Sequence, residues 1–159
     1  MLNLTAALRE KLSGSQKVVV LGIGSELRGD DSAGIMVAKK LEKEKIAGLT
    51  VLIGGTAPEN MTGEIKRLRP SHLIIVDAAD MKAAPGTIRL VDPDEVGGFS
   101  FSTHSLPIKV LINYLLEYFP CKVTLIGIQP KNISFGNSLS PEIENAAQAV
   151  VNALLEVTA

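Results

Sequence analysis

Short apolar runs recur along the chain with helix-period segments between them, and several of the runs are apolar at nearly every position. "KVVVLGIG" (17–24), "LIIVDA" (73–78) and "KVTLIGI" (122–128) are the clearest, joined by "TVLIG" (50–54) and "TIRLVD" (87–92). A strand solvated on one face alternates; one covered on both faces does not. These runs therefore belong to a parallel sheet with helices above and below it. The expected fold class is α/β, a three-layer α/β/α sandwich around a mainly parallel, twisted sheet of about five strands. "TIRLVD" follows "LIIVDA" with no room for a crossover helix, so one strand of this neighbouring pair is expected to run antiparallel.

The intervening segments read as helices. "DSAGIMVAKKLEKEK" (31–45) sets Ile35, Val37, Ala38 and Leu41 opposite lysines and glutamates, and "PENMTGEIKRL" (58–68) is shorter and carries a glycine. "SLPIKVLINYLLEYF" (105–119) opens on Ser105 and Pro107, a cap and first-turn pair. The last segment opens on Ser140 and Pro141 and places Ile143, Ala147, Val150 and Leu154 on one stripe.

A chain of 159 residues buries a core without disulfides or structural metal, and 46% hydrophobic with 21% charged residues excludes disorder. A net charge of −1 gives no basis for binding nucleic acid or a membrane surface. The single cysteine, Cys121, makes neither an internal disulfide nor a thiolate cluster, which fits a reducing, cytoplasmic setting. No apolar run has membrane-spanning length, and the opening "MLNLTAALREKL" is amphipathic with no secretory pattern. With no linker to divide it, residues 1–159 are expected to form one soluble domain, a monomer or small homo-oligomer.

In open α/β sheets, ligands collect beyond the carboxyl ends of the parallel strands. Asp30 and Asp31 follow the first strand in "GIGSELRGDDSAG" (22–34), and Asp77 ends the third. His104 precedes the helix that leads into the last strand, and a crossover helix starts on that same edge. His72 opens the third strand, on the opposite edge, and Cys121 enters the last strand there too, as a packing residue. Asp31, Asp77 and His104 thus make a cluster of two carboxylates and one imidazole, suited to a borderline divalent ion with open positions such as nickel, zinc or manganese. Each has a plainer alternative. Either aspartate can cap the helix that follows, Asp77 can accept backbone N–H bonds, and His104 can be a polar residue at a helix mouth.

Rival motifs fail. "GIGSELRG" has Leu27 where a dinucleotide fingerprint needs its third glycine, and no acid ends the second strand. There is no P-loop, no H-E-x-x-H and no G-x-S-x-G.

"GIGSELRGDDSAG", "GGTAPEN", "RPSHLIIVDAADMKAAPGTIRLVDPDEV", "STHSLP" and "TLIGIQP" occur in one order and spacing from Lys17 to the C-terminus. Together they resemble the NiFe-hydrogenase maturation endopeptidases, most of all the HycI type. The resemblance implies an endopeptidase that removes a C-terminal peptide from the precursor of a NiFe-hydrogenase large subunit once nickel has been inserted. It implies Asp31, Asp77 and His104 as metal ligands, and Gly54, Gly55 and Thr56 as the loop that distinguishes one precursor from another. Two positions depart from the family pattern: Ser25 stands where Asn is common, and Ile53 where many members have Asp. The first is mild, since serine still offers a hydroxyl to the turn; the second weakens any carboxylate role at the glycine loop. Residues 1–16 lie outside the match and receive no function.

The nickel is then expected to arrive with the substrate and not as a resident cofactor, with Asp31, Asp77 and His104 completing its coordination. Water is the expected nucleophile, activated by an aspartate or by the metal. Asp30 is the spare carboxylate first considered as a base, with a helix cap as its other role. Two rival functions remain: a metal-dependent small-molecule hydrolase using the same triad, and a non-catalytic nickel-binding chaperone.

Overall fold

In the computed structural model, residues 3–101 and 107–158 are described. The chain opens with helix α1 (Leu4–Lys11), followed by β1 (Val18–Ile23), a 3-10 turn at Gly29–Ser32 and α2 (Ala33–Glu42). Then come β2 (Leu49–Gly55), a 3-10 turn at Pro58–Met61, α3 (Thr62–Leu68), β3 (His72–Asp80), β4 (Ile88–Val91) and β5 (Ser100–Phe101). Helix α4 (Ile108–Leu116), β6 (Lys122–Ile128) and α5 (Pro141–Thr158) complete it.

The sheet runs in the order β2-β1-β3-β6-β4, with β5 paired to β3 off that path. β1, β2, β3 and β6 are mutually parallel, as their two-sided apolar character requires. The five expected strands are present, and the expected antiparallel member is β4, which pairs with β6. The described residues add a short sixth strand, in which Ser100 and Phe101 pair antiparallel with Asp80 and Ala79, a stretch too short to show any period. β3 presents His72 through Ala78 to β6, so that edge is taken. β4, with exposed Arg89 between half-buried Ile88 and Leu90, has the one-sided character of an edge strand.

Successive residues of the central strands point to opposite faces, and both faces are buried. Val18, Val20, Ile74, Val76, Ile126 and Ile128 pack against α1, α2 and α5. Val19, Leu21, Ile23, Leu73, Ile75 and Leu125 pack against α3 and α4. The segment before Lys17 belongs to the first of these cores. Leu8 is fully buried, and burying a leucine side chain stabilises by about 2 kcal/mol. Asn3 caps α1 by accepting the Ala6 N–H at 3.1 Å.

α2 crosses β1 and β3 at unusually short range. A Cβ on Gly34 would lie 2.2 Å from the Val76 carbonyl oxygen and 2.5 Å from that of Ile23, so only glycine fits. This crossing fixes where the turn ahead of α2 sits relative to the end of β3.

Candidate active site at the carboxyl edge

β1, β3 and β6 are in parallel register through Gly22↔Val76 and Asp77↔Gly127, so all three leave the sheet on one edge. The loops after β1 and β6 therefore flank the end of β3. Asp77 is there, completely buried. It shares its strand parity with Leu73 and Ile75, which places it on the face covered by α3 and α4.

Asp31 belongs to the 3-10 turn that feeds α2 and is also buried. Its Oδ2 accepts the Ser25 N–H at 3.1 Å, which orients the carboxylate. The turn requires glycine at Gly24, with φ +142° and the Asp31 carbonyl oxygen 1.9 Å from where a Cβ would be. Ser25 does offer its hydroxyl to the turn: Oγ accepts the Leu27 N–H at 3.3 Å.

Asp30 has a different role from the one its position implied. It makes no cap for the turn or for α2; neither element has a side-chain cap bond. Its fully buried carboxylate reaches across to the loop after β6, accepting the N–H groups of Lys131 and Asn132, each at 2.9 Å. It also accepts the Ser140 N–H at 2.6 Å and the Ser140 hydroxyl at 2.8 Å. Burial pushes this carboxyl's pKa up, but the hydrogen bonds from Ser140, Asn132 and Lys131 outweigh it and hold the pKa below the ordinary value. A carboxylate so stabilised as an anion is a clamp and a poor proton acceptor.

Gly54 and Gly55 end β2, beside β1, and Thr56 is exposed just beyond. A register shift between Gly22 and Ile23 aligns Ile23 with Gly55, whose carbonyl accepts the Gly24 N–H at 3.0 Å. Gly55 takes φ +60°. The glycine loop is thereby joined to the strand exit that carries Asp31. Ile53, half-buried opposite Gly22, adds no charge to it.

His104 lies outside the described residues, as do its neighbours in 102–106. Among the described residues no three His, Cys, Asp or Glu side chains gather closely enough to hold a metal. His72 is where the topology put it, on the opposite edge. It is buried, with Nε2 2.8 Å from Thr124 Oγ1, and burial, helped by Lys122 and Lys11, pushes its pKa down to about 4. Cys121 lies at that edge too, its thiol pushed up to about 11 by burial, which suits packing and not nucleophilic attack.

One supporting residue gave no signal in the sequence. Gln129, buried just after β6, accepts the Met81 N–H at 2.6 Å and the Ala83 N–H at 3.4 Å, pinning the chain beyond β3 to the end of β6. An isolated glutamine after a strand has no pattern that would mark it.

A family model described as HycI, hydrogenase maturation protease, matches residues 35–157. The chain belongs to the hydrogenase maturation protease family. The Escherichia coli (strain K12) hydrogenase 3 maturation protease is 39% identical over 137 residues, covering 86% of this chain and 87% of that one. The crystal structure of HycI from Thermococcus kodakarensis KOD1 superposes with a TM-score of 0.89 at 30% identity, covering 96% of this chain and 98% of its own. The solution structure of the endopeptidase HycI from Escherichia coli gives 0.76 at 37% identity, covering 86% and 87%. In this maturation protease, two buried carboxylates, Asp31 and Asp77, lie at the carboxyl edge of the parallel strands.

Proposed function

We propose that this protein is the endopeptidase that removes the C-terminal peptide from the precursor of a NiFe-hydrogenase large subunit. The observation that carries this reading is the placement of Asp31 and Asp77, both buried, on one sheet edge of a hydrogenase maturation protease fold. Buried carboxylates are rare, and the carboxyl edge of a parallel sheet is where ligands of such folds collect.

Asp31, Asp77 and His104 are the residues that would meet nickel carried by the precursor. Two oxygens and one imidazole suit that ion while leaving its remaining positions to ligands of the precursor itself. Such nickel would supply an anchor for the C-terminal segment and positive charge near the scissile carbonyl. The chain's own residues do the rest. A carboxylate of the Asp31–Asp77 pair takes a proton from water as its oxygen attacks the scissile carbonyl carbon, and returns it to the departing amine. The Ser25 N–H keeps the Asp31 carboxylate in place, and the glycine loop at Gly54, Gly55 and Thr56 lies beside it as the element that reads the precursor.

Asp31→Ala and Asp77→Ala test this directly. Removing a group used in proton transfer lowers the rate by about a hundredfold or more, so both variants should leave nickel-loaded precursor uncut in a mass-shift assay. Full activity in either would refute the assignment. Metal analysis of the purified protein separates this reading from a resident-metal hydrolase: no stoichiometric metal is expected, and a tightly bound equivalent would overturn substrate-borne nickel.

A further inference from the structure

The described chain has large apolar side chains in solvent at only two places. One is α4 and the turn after it, with Val110, Tyr114, Leu116 and Tyr118. The other consists of Leu27, Ile133 and Phe135, of which Phe135 is 73% exposed and Leu27 62%. These three sit on two loops, one after β1 and one after β6, that leave the carboxyl edge on either side of β3. Hydrogen bonds lace the loops together. Leu27 accepts the Gly136 N–H at 2.8 Å, Asn132 accepts the Asp30 N–H at 2.9 Å, and the Asp30 carboxylate holds Lys131, Asn132 and Ser140. Gly29, with φ +53°, lets the backbones meet, since a Cβ there would be 2.5 Å from the Asn132 oxygen.

The apolar groups are thus presented on a frame fixed at both ends and in the middle. Nearby charges are neutralised: Lys131 pairs with Glu142 at 3.0 Å and Glu26 with Lys39 at 2.9 Å. Exposed Arg28 leaves one positive charge at the margin. An apolar centre with a polar margin, preorganised and four residues from Asp31, has the make-up of a protein-binding site and not of an ion site. The aromatics at the end of α4 and just beyond it differ, because Tyr114 and Tyr118 already pack on each other and on Lys66, which lies 4.1 Å from the Tyr118 ring centre.

We propose that Leu27, Ile133 and Phe135 dock an apolar stretch of the precursor polypeptide beside the cleavage site. The occupant follows from continuity with the edge that carries Asp31 and Asp77, and the proposal rests on the endopeptidase reading given above. The three are positioning residues; they touch substrate outside the reacting atoms and take no part in proton transfer.

The test measures initial cleavage rates of nickel-loaded precursor over a range of concentrations, for wild type and for the Leu27→Ser/Phe135→Ser double variant. The expected result is a fall in kcat/KM of about tenfold or more, carried by KM, with kcat within about twofold of wild type. Phe135→Leu should recover most of the loss, and Val110→Ser/Tyr114→Ser on α4 should cleave like wild type. The single variant Ile133→Ser should show the same KM-directed defect should the double variant fold poorly. Unchanged kcat/KM in folded Leu27→Ser/Phe135→Ser, a loss confined to kcat, or an equal loss in the α4 variant would each overturn the docking role. A wild-type protein that leaves the precursor uncut would overturn the endopeptidase reading instead.

Discussion

Ser140 bonds Asp30 twice across 110 residues of sequence, its N–H to Oδ1 at 2.6 Å and its hydroxyl to Oδ2 at 2.8 Å. The same carboxylate takes two further N–H groups from Lys131 and Asn132. One side chain therefore joins the head of α5 to the turn that carries Asp31, and the geometry of the site depends on it.

Asp30→Asn keeps the shape but turns an amide NH2 toward donors. Leaving buried N–H groups unpaired should lower stability by about 3 kcal/mol, measured by urea unfolding. The wild-type contribution is also pH-dependent. The folded pKa is depressed, so this stability is complete above the unfolded carboxyl value of about 4 and fades as pH falls through the lower folded value. The variant should lack that acid limb; an unchanged acid limb would contradict the clamp.

His72 gives a second, separate pH dependence. Its folded pKa of about 4 lies below the unfolded value of about 6.5, so the fold favours the neutral ring. That stability is complete above pH ~6.5 and is lost as pH falls from there toward 4, where the native state also takes the proton. His72→Gln should flatten the stability curve across this window while leaving processing at neutral pH intact. Loss of processing in a folded variant would contradict its place on the far edge.

Gly34→Ala would set a methyl within 2.5 Å of two carbonyl oxygens under α2. Overpacking of this kind costs about 2 kcal/mol, read as a lowered urea midpoint. Because the helix can relieve the clash only by lifting, and Asp31 moves with it, cleavage should fall further than the stability loss explains when assayed well below the melting temperature.

Leu8→Ala tests the segment before β1. Its fully buried side chain makes α1 part of the α2/α5 core, and truncation should cost about 2–5 kcal/mol by urea unfolding. A change below about 1 kcal/mol would show that the helix is dispensable.

Much of this arrangement was legible in the sequence. Runs such as "LIIVDA" bury both faces, and that property alone required a covered parallel sheet and put Asp31 and Asp77 on one edge. Which strand β4 would join was not legible, because chain direction follows from loop length but the neighbour depends on competition for the edge of β3. Asp30 was misread for a related reason. Local sequence offers an aspartate a helix N-terminus two or three residues on, whereas its actual partners, Lys131 to Ser140, are brought near only by the sheet.

The most direct test incubates the protein with large-subunit precursor in nickel-loaded and nickel-free forms and follows intact mass. Loss of the C-terminal peptide is expected from the loaded precursor alone, and Asp31→Ala should abolish it. Cleavage of both forms at equal rates would contradict nickel-dependent recognition, and cleavage of neither would contradict the proposed activity.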